Sequence, residues 1–278
     1  MLEPARRALV GQVVALFNDA AKGERPIERS AEALIPPGSV AWRVHGDVAT
    51  MMIGGIAALL LHMLHPLALA GVWDHSNFRR DLIGRLRRTA RFIAITTYGA
   101  RGDAEAAIAR VRAIHARVAG VTPTGEAYRA DDAALLAWVH VAGAIMFLDS
   151  WRRYGEPLMS RADQDAYFAD VAPIARLLGA DPVPVTRAEA EALVEKFRGE
   201  LTPSDRSREV ARIITRHQPA RLRDLPPQAV ATQAAVDLLP PWARAMHGLD
   251  GSGLARPAID LAAFGMASGL RWAFAGAR

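Results

Sequence analysis

The chain has 278 residues, of which 51% are hydrophobic but only 6% are aromatic. This balance favours helices packed closely through small side chains over a β-sandwich rich in branched and aromatic residues. The formal net charge is +5, and the arginines recur along most of the chain among acidic residues, which argues against a nucleic-acid surface. There is no cysteine, so disulfide frameworks, thiolate metal sites, iron–sulfur clusters and cysteine nucleophiles are excluded.

The first predicted element is a helix from about Pro4 to Lys22, and a proline-rich turn follows it at residues 35–39. Asn18 and Asp19 interrupt the apolar stretch of this helix, and no small-residue cleavage site follows a clean apolar run. This pattern is not typical of a signal peptide, so we expect a cytoplasmic protein.

A run of apolar and small residues extends from Val48 to Trp73 and is interrupted by His62, His65 and Pro66. Its length alone would allow a membrane span, because about 20 apolar residues cross a bilayer. The glycines, histidines and proline within it suit close packing inside a protein better than contact with lipid. We therefore expect a buried core helix that bends or ends at His65-Pro66, since the residue before proline is pushed out of the α region. Membrane contact is not expected.

Helical patterns continue to the end of the chain, and no convincing strand is recognised. Asp131 and Asp132 stand at the start of a long predicted helix, where carboxylates complement the helix dipole. Residues 125–129 are predicted to form a turn. We expect a single all-α domain, with an N-terminal helix and turn at 1–38, the main helical domain at 39–250 and a helical tail at 251–278 packed on it. The principal predicted helices after the apolar run span residues 81–98, 103–119, 131–154, 160–178, 187–198 and 204–215.

Polar side chains share one face of the helix predicted at 81–98. Arg85, Thr89, Phe92 and Thr96 lie three or four residues apart, and Arg88 stands beside Arg85. A stripe that faces a core is usually apolar, so these polar residues are candidates for a functional site. The alternative is a solvated basic face.

Two histidines on the following helices are further candidates. Arg112 and His115 stand three residues apart, and His140 lies in the most apolar helix, with Gly143 and Ala144 one turn further on. Small residues there leave room beside the ring for another helix or a flat ligand. The alternative for each histidine is a structural role, with the ring bonded to a backbone carbonyl.

Few established catalytic motifs are present. His62 and His65 stand three residues apart, but no HExxH or carboxylate–histidine motif accompanies them, so a bare metal ion is weakly indicated. Dinucleotide-binding, P-loop and α/β-hydrolase fingerprints are missing, as are paired carboxylates in the apolar segments that would suggest a glycosidase.

Several short motifs stand out by their order and spacing. They are His65-Pro66 with Gly71-Val72, Asp74-His75-Ser76, Gly84 to Thr89, Arg112 to Val118, Tyr128, Leu136 to His140, and Pro240 to Arg244. Together they resemble the MpaB and rubber-oxygenase (latex clearing protein)-like family. The resemblance is densest over residues 39–155 and weaker up to about residue 249.

The resemblance implies an all-α fold that encloses a b-type haem and uses O2 to oxidise a hydrophobic small molecule. In the family an Arg-x-x-His element supplies the axial iron ligand, and here it falls on Arg112 and His115. An Arg-x-x-basic-Thr element on the oxygen side falls on Arg85, Arg88 and Thr89, which implies catalytic roles for these three. The rubber oxygenase has a lysine where this chain has Arg88, and arginine stays charged and cannot serve as a neutral amine ligand. The acidic residue proposed as a base in rubber cleavage has no match here.

A haem needs a neutral imidazole ligand, cations near its propionates and apolar walls. Arg85 and Arg112 are candidate cations, and His115 is favoured as the iron ligand with His140 as the alternative. We expect an oxidoreductase with O2 and a hydrophobic small molecule as partners, an unidentified electron donor and no nucleic acid. A haem carrier or sensor without turnover, and a haem-free structural or lipid-binding helical protein, remain as alternatives.

Overall fold

The computed structural model describes residues 2–18, 23–216 and 225–275. Within these ranges the chain forms thirteen α-helices and one two-stranded hairpin, which confirms the all-α prediction. Short 3-10 turns follow the ninth helix and precede the last one. The elements are α1 Leu2–Phe17, α2 Val40–His45, α3 Val48–His62, α4 Pro66–His75, α5 Leu82–Tyr98, α6 Arg101–His115, β1 Ala119–Val121, β2 Ala127–Arg129, α7 Ala133–Tyr154, α8 Arg161–Leu178, α9 Arg187–Phe197, α10 Asp205–Arg216, α11 Leu225–Leu238, α12 Pro241–His247 and α13 Arg256–Ala275.

The centre of the fold is the pair of apolar helices α3 and α7, which pack on each other along most of their length. Gly54 makes their close approach feasible, because a Cβ at this position would lie 2.8 Å from the carbonyl oxygen of Met146. Trp138, Ile53 and Leu60 fill the core around this contact and are fully buried. The remaining helices surround the pair, and the C-terminal α13 contacts α1, α3 and α11.

The long apolar run breaks at the predicted place. α3 ends at His62 and α4 begins at Pro66, with an angle of 105° between them. His65 caps the new helix, since its Nδ1 accepts a hydrogen bond from the backbone N–H of Leu67 at 3.3 Å, and Pro66 occupies the first turn. The bend follows from proline geometry and from this cap.

Among the helices of the described residues, α7 alone is long and apolar enough by itself to cross a membrane. Of its most apolar 18-residue stretch, 67% is buried inside the protein. The bent pair α3 and α4 passes only when it is counted as one span. A helix in the core of a globular protein is buried to a similar extent as α7.

Most helices start where the sequence predicts. Asp81, Asp132 and Ser160 are N-caps whose side chains accept hydrogen bonds from backbone N–H groups three residues on. The predicted end of the first helix, at Lys22, lies outside the described residues.

The prediction that the chain has no strand is wrong at one place. α6 ends at His115 instead of residue 119, and residues 119–121 pair antiparallel with residues 127–129, with Gly120 opposite Tyr128. Strands of three residues are too short to show an alternating pattern in the sequence. Only glycine fits opposite the tyrosine, because a Cβ on Gly120 would lie 2.6 Å from the Tyr128 hydroxyl oxygen.

Candidate functional site

Arg85 is the most enclosed of the candidate arginines. It lies in the first turn of α5, is half-buried, and its Nη1 donates to the hydroxyl of Ser76 at 2.9 Å. Burial lowers the pKa of Arg85, and the neighbouring charge of Arg88 lowers it further. Arginine remains protonated despite such shifts, so Arg85 places a permanent positive charge inside the protein.

Arg88 and Thr89 are exposed. The Arg88 Nη1 lies 3.4 Å from a carboxylate oxygen of Asp81, and its side chain is 58% exposed. The Thr89 hydroxyl donates to the backbone carbonyl of Arg85 at 3.2 Å. The spacing on α5 therefore brings the three candidates together along the chain, but only Arg85 reaches into the interior.

His115 is the last residue of α6 and is half-buried. It continues the face of α6 on which Ala104 and Ile108 are buried. Burial lowers its pKa, and the carboxylate of Asp131 opposes that shift. The ring is therefore neutral at pH 7, and its Nδ1 is buried without a hydrogen-bond partner. Arg112, one turn earlier, is exposed.

His140 lies on α7 and is also half-buried. Burial lowers its pKa to about 4, and the charge of Arg176 on α8 contributes to the shift. Its Nε2 is buried without a hydrogen-bond partner. His115 and His140 thus both present neutral imidazoles with an unsatisfied nitrogen, which is the state required of a metal ligand.

The space predicted beside Gly143 is occupied by another helix. A Cβ on Gly143 would lie 3.6 Å from the Nε2 of His62, which is the last residue of α3. That nitrogen donates to the backbone carbonyl of Val139 at 2.8 Å, because a carbonyl oxygen is only an acceptor. Burial lowers the pKa of His62 to about 4, and Arg85 contributes to this shift through its charge. His62 was considered only with His65 as a weakly indicated metal pair, and no sequence signal placed it beside Gly143.

A network at the end of α4 joins the two sides of the candidate site. The buried Tyr128 of β2 donates its hydroxyl proton to Asp74 at 2.8 Å, and the Nε2 of His75 lies 3.1 Å from the same hydroxyl oxygen. Burial and the Asp74 carboxylate raise the pKa of Tyr128 to about 12, so the phenol stays protonated. Ser76, the next residue, receives the hydrogen bond from Arg85. The hairpin that follows His115 is therefore linked through residues 74–76 to Arg85.

Side chains alone do not form a metal centre in the described ranges, since no group of three or more His, Asp or Glu residues is close enough to hold an ion. His45 is fully occupied by Thr97 at 2.9 Å and Tyr167 at 3.1 Å, and His247 bonds the carbonyl of Leu60 at 2.8 Å. A haem asks for only one protein ligand, and His115 and His140 are described histidines with a buried free nitrogen and no hydrogen bond through the other nitrogen.

Comparison with known protein families gives a match over most of the chain. A family model described as "ER-bound oxygenase mpaB/B'/Rubber oxygenase, catalytic domain" matches residues 42–272, a range that contains every candidate site residue. No curated relative and no solved structure matches the chain.

Proposed function

The chain belongs to the family of catalytic domains of ER-bound oxygenase mpaB/B' and rubber oxygenase, and from this premise we propose that it is a haem b-dependent oxygenase acting on a hydrophobic small molecule. The family makes the protein an enzyme of the oxidoreductase class that uses O2. The observation that carries the haem proposal is the pair of neutral imidazoles with buried, unbonded nitrogens at His115 and His140. A buried polar atom without a partner is costly, so each calls for a partner that the protein chain does not supply.

The candidate residues include the two kinds of side chain that would hold a haem, a neutral histidine for the iron and an arginine for a propionate. His115 would hold the iron, with His140 as the second candidate, because both rings are neutral at pH 7. Arg85 would place its charge against a propionate, where it already lies half-buried and oriented by Ser76. When bound, a haem with a histidine ligand supplies the binding and activation of O2.

The protein's own groups control charge and protons around that site. Arg85 keeps a fixed positive charge and orients N–H donors, since its guanidinium does not lose its proton at physiological pH. His62 keeps its proton on Nε2, where it donates to Val139, and does not become charged near pH 7. Arg88 and Thr89 lie at the solvent end of the same face, where they would admit or orient small polar molecules.

The proposal is tested by the absorption spectrum and iron content of protein expressed with added haem precursor. We expect a Soret band and one iron per chain. When the reduced protein is mixed with O2, excess reductant and a panel of hydrophobic test compounds in a stopped-flow instrument, we expect O2 consumption beyond one molecule per chain. A colourless, iron-free protein would contradict the haem proposal and favour a haem-free helical protein.

The exposure of Arg88 and Thr89 favours a second candidate function, a haem carrier or sensor without turnover. Such a protein would show the Soret band and the iron, but mixing with O2 would leave a constant final spectrum and no O2 consumption beyond one molecule per chain. The same stopped-flow record therefore separates the two candidates.

A further inference from the structure

A cavity that is open to solvent lies on the side of α7 opposite His140. It has a volume of about 550 Å³ and lies between α7, α9, the turn from α11 into α12 and the start of α13. Asp149, on its wall, stands nine residues beyond His140, which is about 13 Å along the helix axis and half a turn around it. The cavity and the candidate haem site therefore use opposite faces of the same helix. Its lining contains five arginines and three carboxylates.

Three of the five arginines contact carboxylates, and the first is Arg152, whose Nη1 lies 3.3 Å from a carboxylate oxygen of Asp149. Arg187 is buried and contacts Asp149 at 2.5 Å and Glu191 at 2.7 Å. Arg153 binds Asp260 through two hydrogen bonds of 3.0 and 2.6 Å. These bonds account for two of the three carboxylates on the wall.

The other arginines are poorly satisfied. Arg244 and Arg256 approach only the backbone carbonyl of Asp237, at 3.4 and 3.5 Å, and no carboxylate oxygen in the described ranges lies within 4.0 Å of either. The Asp237 carboxylate is occupied by Ser252, whose N–H and hydroxyl donate to it at 2.8 and 2.5 Å. Arg244 and Arg256 therefore line the cavity with N–H donors that no carboxylate binds in the described ranges.

The rest of the wall is apolar, with Ile145, Met146, Val194 and Leu238 among its residues. Guanidinium groups bind carboxylates and phosphates through paired, charge-assisted hydrogen bonds, and nearby like charges repel until an anion arrives. A cavity of this size is typical of small-molecule sites. We propose that it binds a small amphiphile, with an oxyanion head group on Arg244 and Arg256 and an apolar body against α7 and α11. This site does not depend on the proposed oxygenase chemistry.

Isothermal titration of the full-length protein tests the proposal with four probes: octanoate, octyl phosphate, octanol and inorganic phosphate. We expect one-to-one binding of octanoate or octyl phosphate, and the tighter of the two identifies the head group. Octanol and inorganic phosphate each lack half of the recognised chemistry, so each should bind at least about tenfold more weakly.

Arg244→Gln and Arg256→Gln should each weaken binding of the preferred amphiphile about tenfold, because each removes charge-assisted hydrogen bonds, and the double variant should weaken it further. The matched control is Arg110→Gln with Arg161→Gln, two exposed arginines on α6 and α8 whose loss changes the net charge equally. The control should bind as the wild type does. Circular dichroism establishes that each variant is folded, and the single variants decide the matter if the double variant does not fold.

Three results would overturn the proposal. These are no binding of either amphiphile to the wild type, octanol or inorganic phosphate binding as tightly as the amphiphiles, and unchanged affinity in the folded arginine variants. The arginine variants locate the measured binding at this cavity, so failure of the haem proposal would leave the outcome unaffected.

Discussion

Replacement of Gly54 by alanine tests whether α3 and α7 are held at contact distance. The new Cβ would lie 2.8 Å from the carbonyl oxygen of Met146 and 3.0 Å from the Cα of Phe147. Both are backbone atoms, so the clash cannot be relieved by a side-chain rotation and the helices must separate. Overpacking of this kind costs about 1–3 kcal/mol, and the better helix propensity of alanine returns about 1 kcal/mol. We expect a net loss of up to about 2 kcal/mol.

Gly55 offers a matched control one residue further along. A Cβ there would meet only the Cε1 of Phe147, at an ordinary 3.6 Å. Gly55→Ala should therefore stabilise the protein by about 0.5–1 kcal/mol through helix propensity alone. Urea unfolding of both variants measures the difference, which we expect to equal the overpacking cost of about 1–3 kcal/mol because the propensity gain is common to both. Equal stability of the two variants would refute the close approach at Gly54.

Three further predictions concern single contacts. Tyr128→Phe should lower the free energy of unfolding by about 0.5–1.5 kcal/mol in urea titrations, because it removes the hydrogen bond to Asp74, whose exposed carboxylate can then bind water. Arg271→Ala should cost about 2–4 kcal/mol in the same assay, because it leaves the buried carboxylate of Asp47 unpaired, and adding Asp47→Asn should restore part of the loss. His45 has a pKa of about 4 when folded and 6.5 when unfolded, so the unfolded chain takes up a proton first and stability falls as pH drops from 6.5 to 4. In His45→Gln this acid loss should shrink by up to about 3 kcal/mol when unfolding is measured across that pH range.

Each of these three predictions would be contradicted by a specific result. A Tyr128→Phe variant within about 0.3 kcal/mol of the wild type would show that the hydroxyl contributes nothing to holding the hairpin. An Asp47→Asn change that adds to the Arg271→Ala loss would contradict the pairing of the two residues. Parallel pH profiles for His45→Gln and the wild type would contradict burial of a neutral imidazole at His45.

The helical framework was largely predictable because its signals are local. Asp81, Asp132 and Ser160 cap helices through hydrogen bonds that span three residues, and His65-Pro66 bends the chain through its own steric restrictions. The hairpin was missed because its stability depends on a distant contact. Tyr128 is held by Asp74, 54 residues away, and no short-range pattern records that bond.

The candidate site was predicted in its residue types but not in its arrangement. Helical spacing places Arg85, Arg88 and Thr89 close together, but it does not say which side chain faces inward. That choice is made by partners elsewhere: Ser76 receives Arg85, whereas Asp81 holds Arg88 at the surface. Likewise, the small residue at Gly143 indicated a space on α7, but only the packing of α3 shows that a helix fills it.

The assignment of His115 as the haem ligand is tested most directly by removing the ring and returning it from solution. Purified apoprotein of the wild type, His115→Gly, His140→Gly and the control His247→Asn would be titrated with haemin, with and without imidazole. We expect a Soret band in the wild type, in His140→Gly and in the control His247→Asn, its loss in His115→Gly, and its return when imidazole is added. A Soret band that persists in His115→Gly without imidazole, or one lost only in His140→Gly, would contradict it.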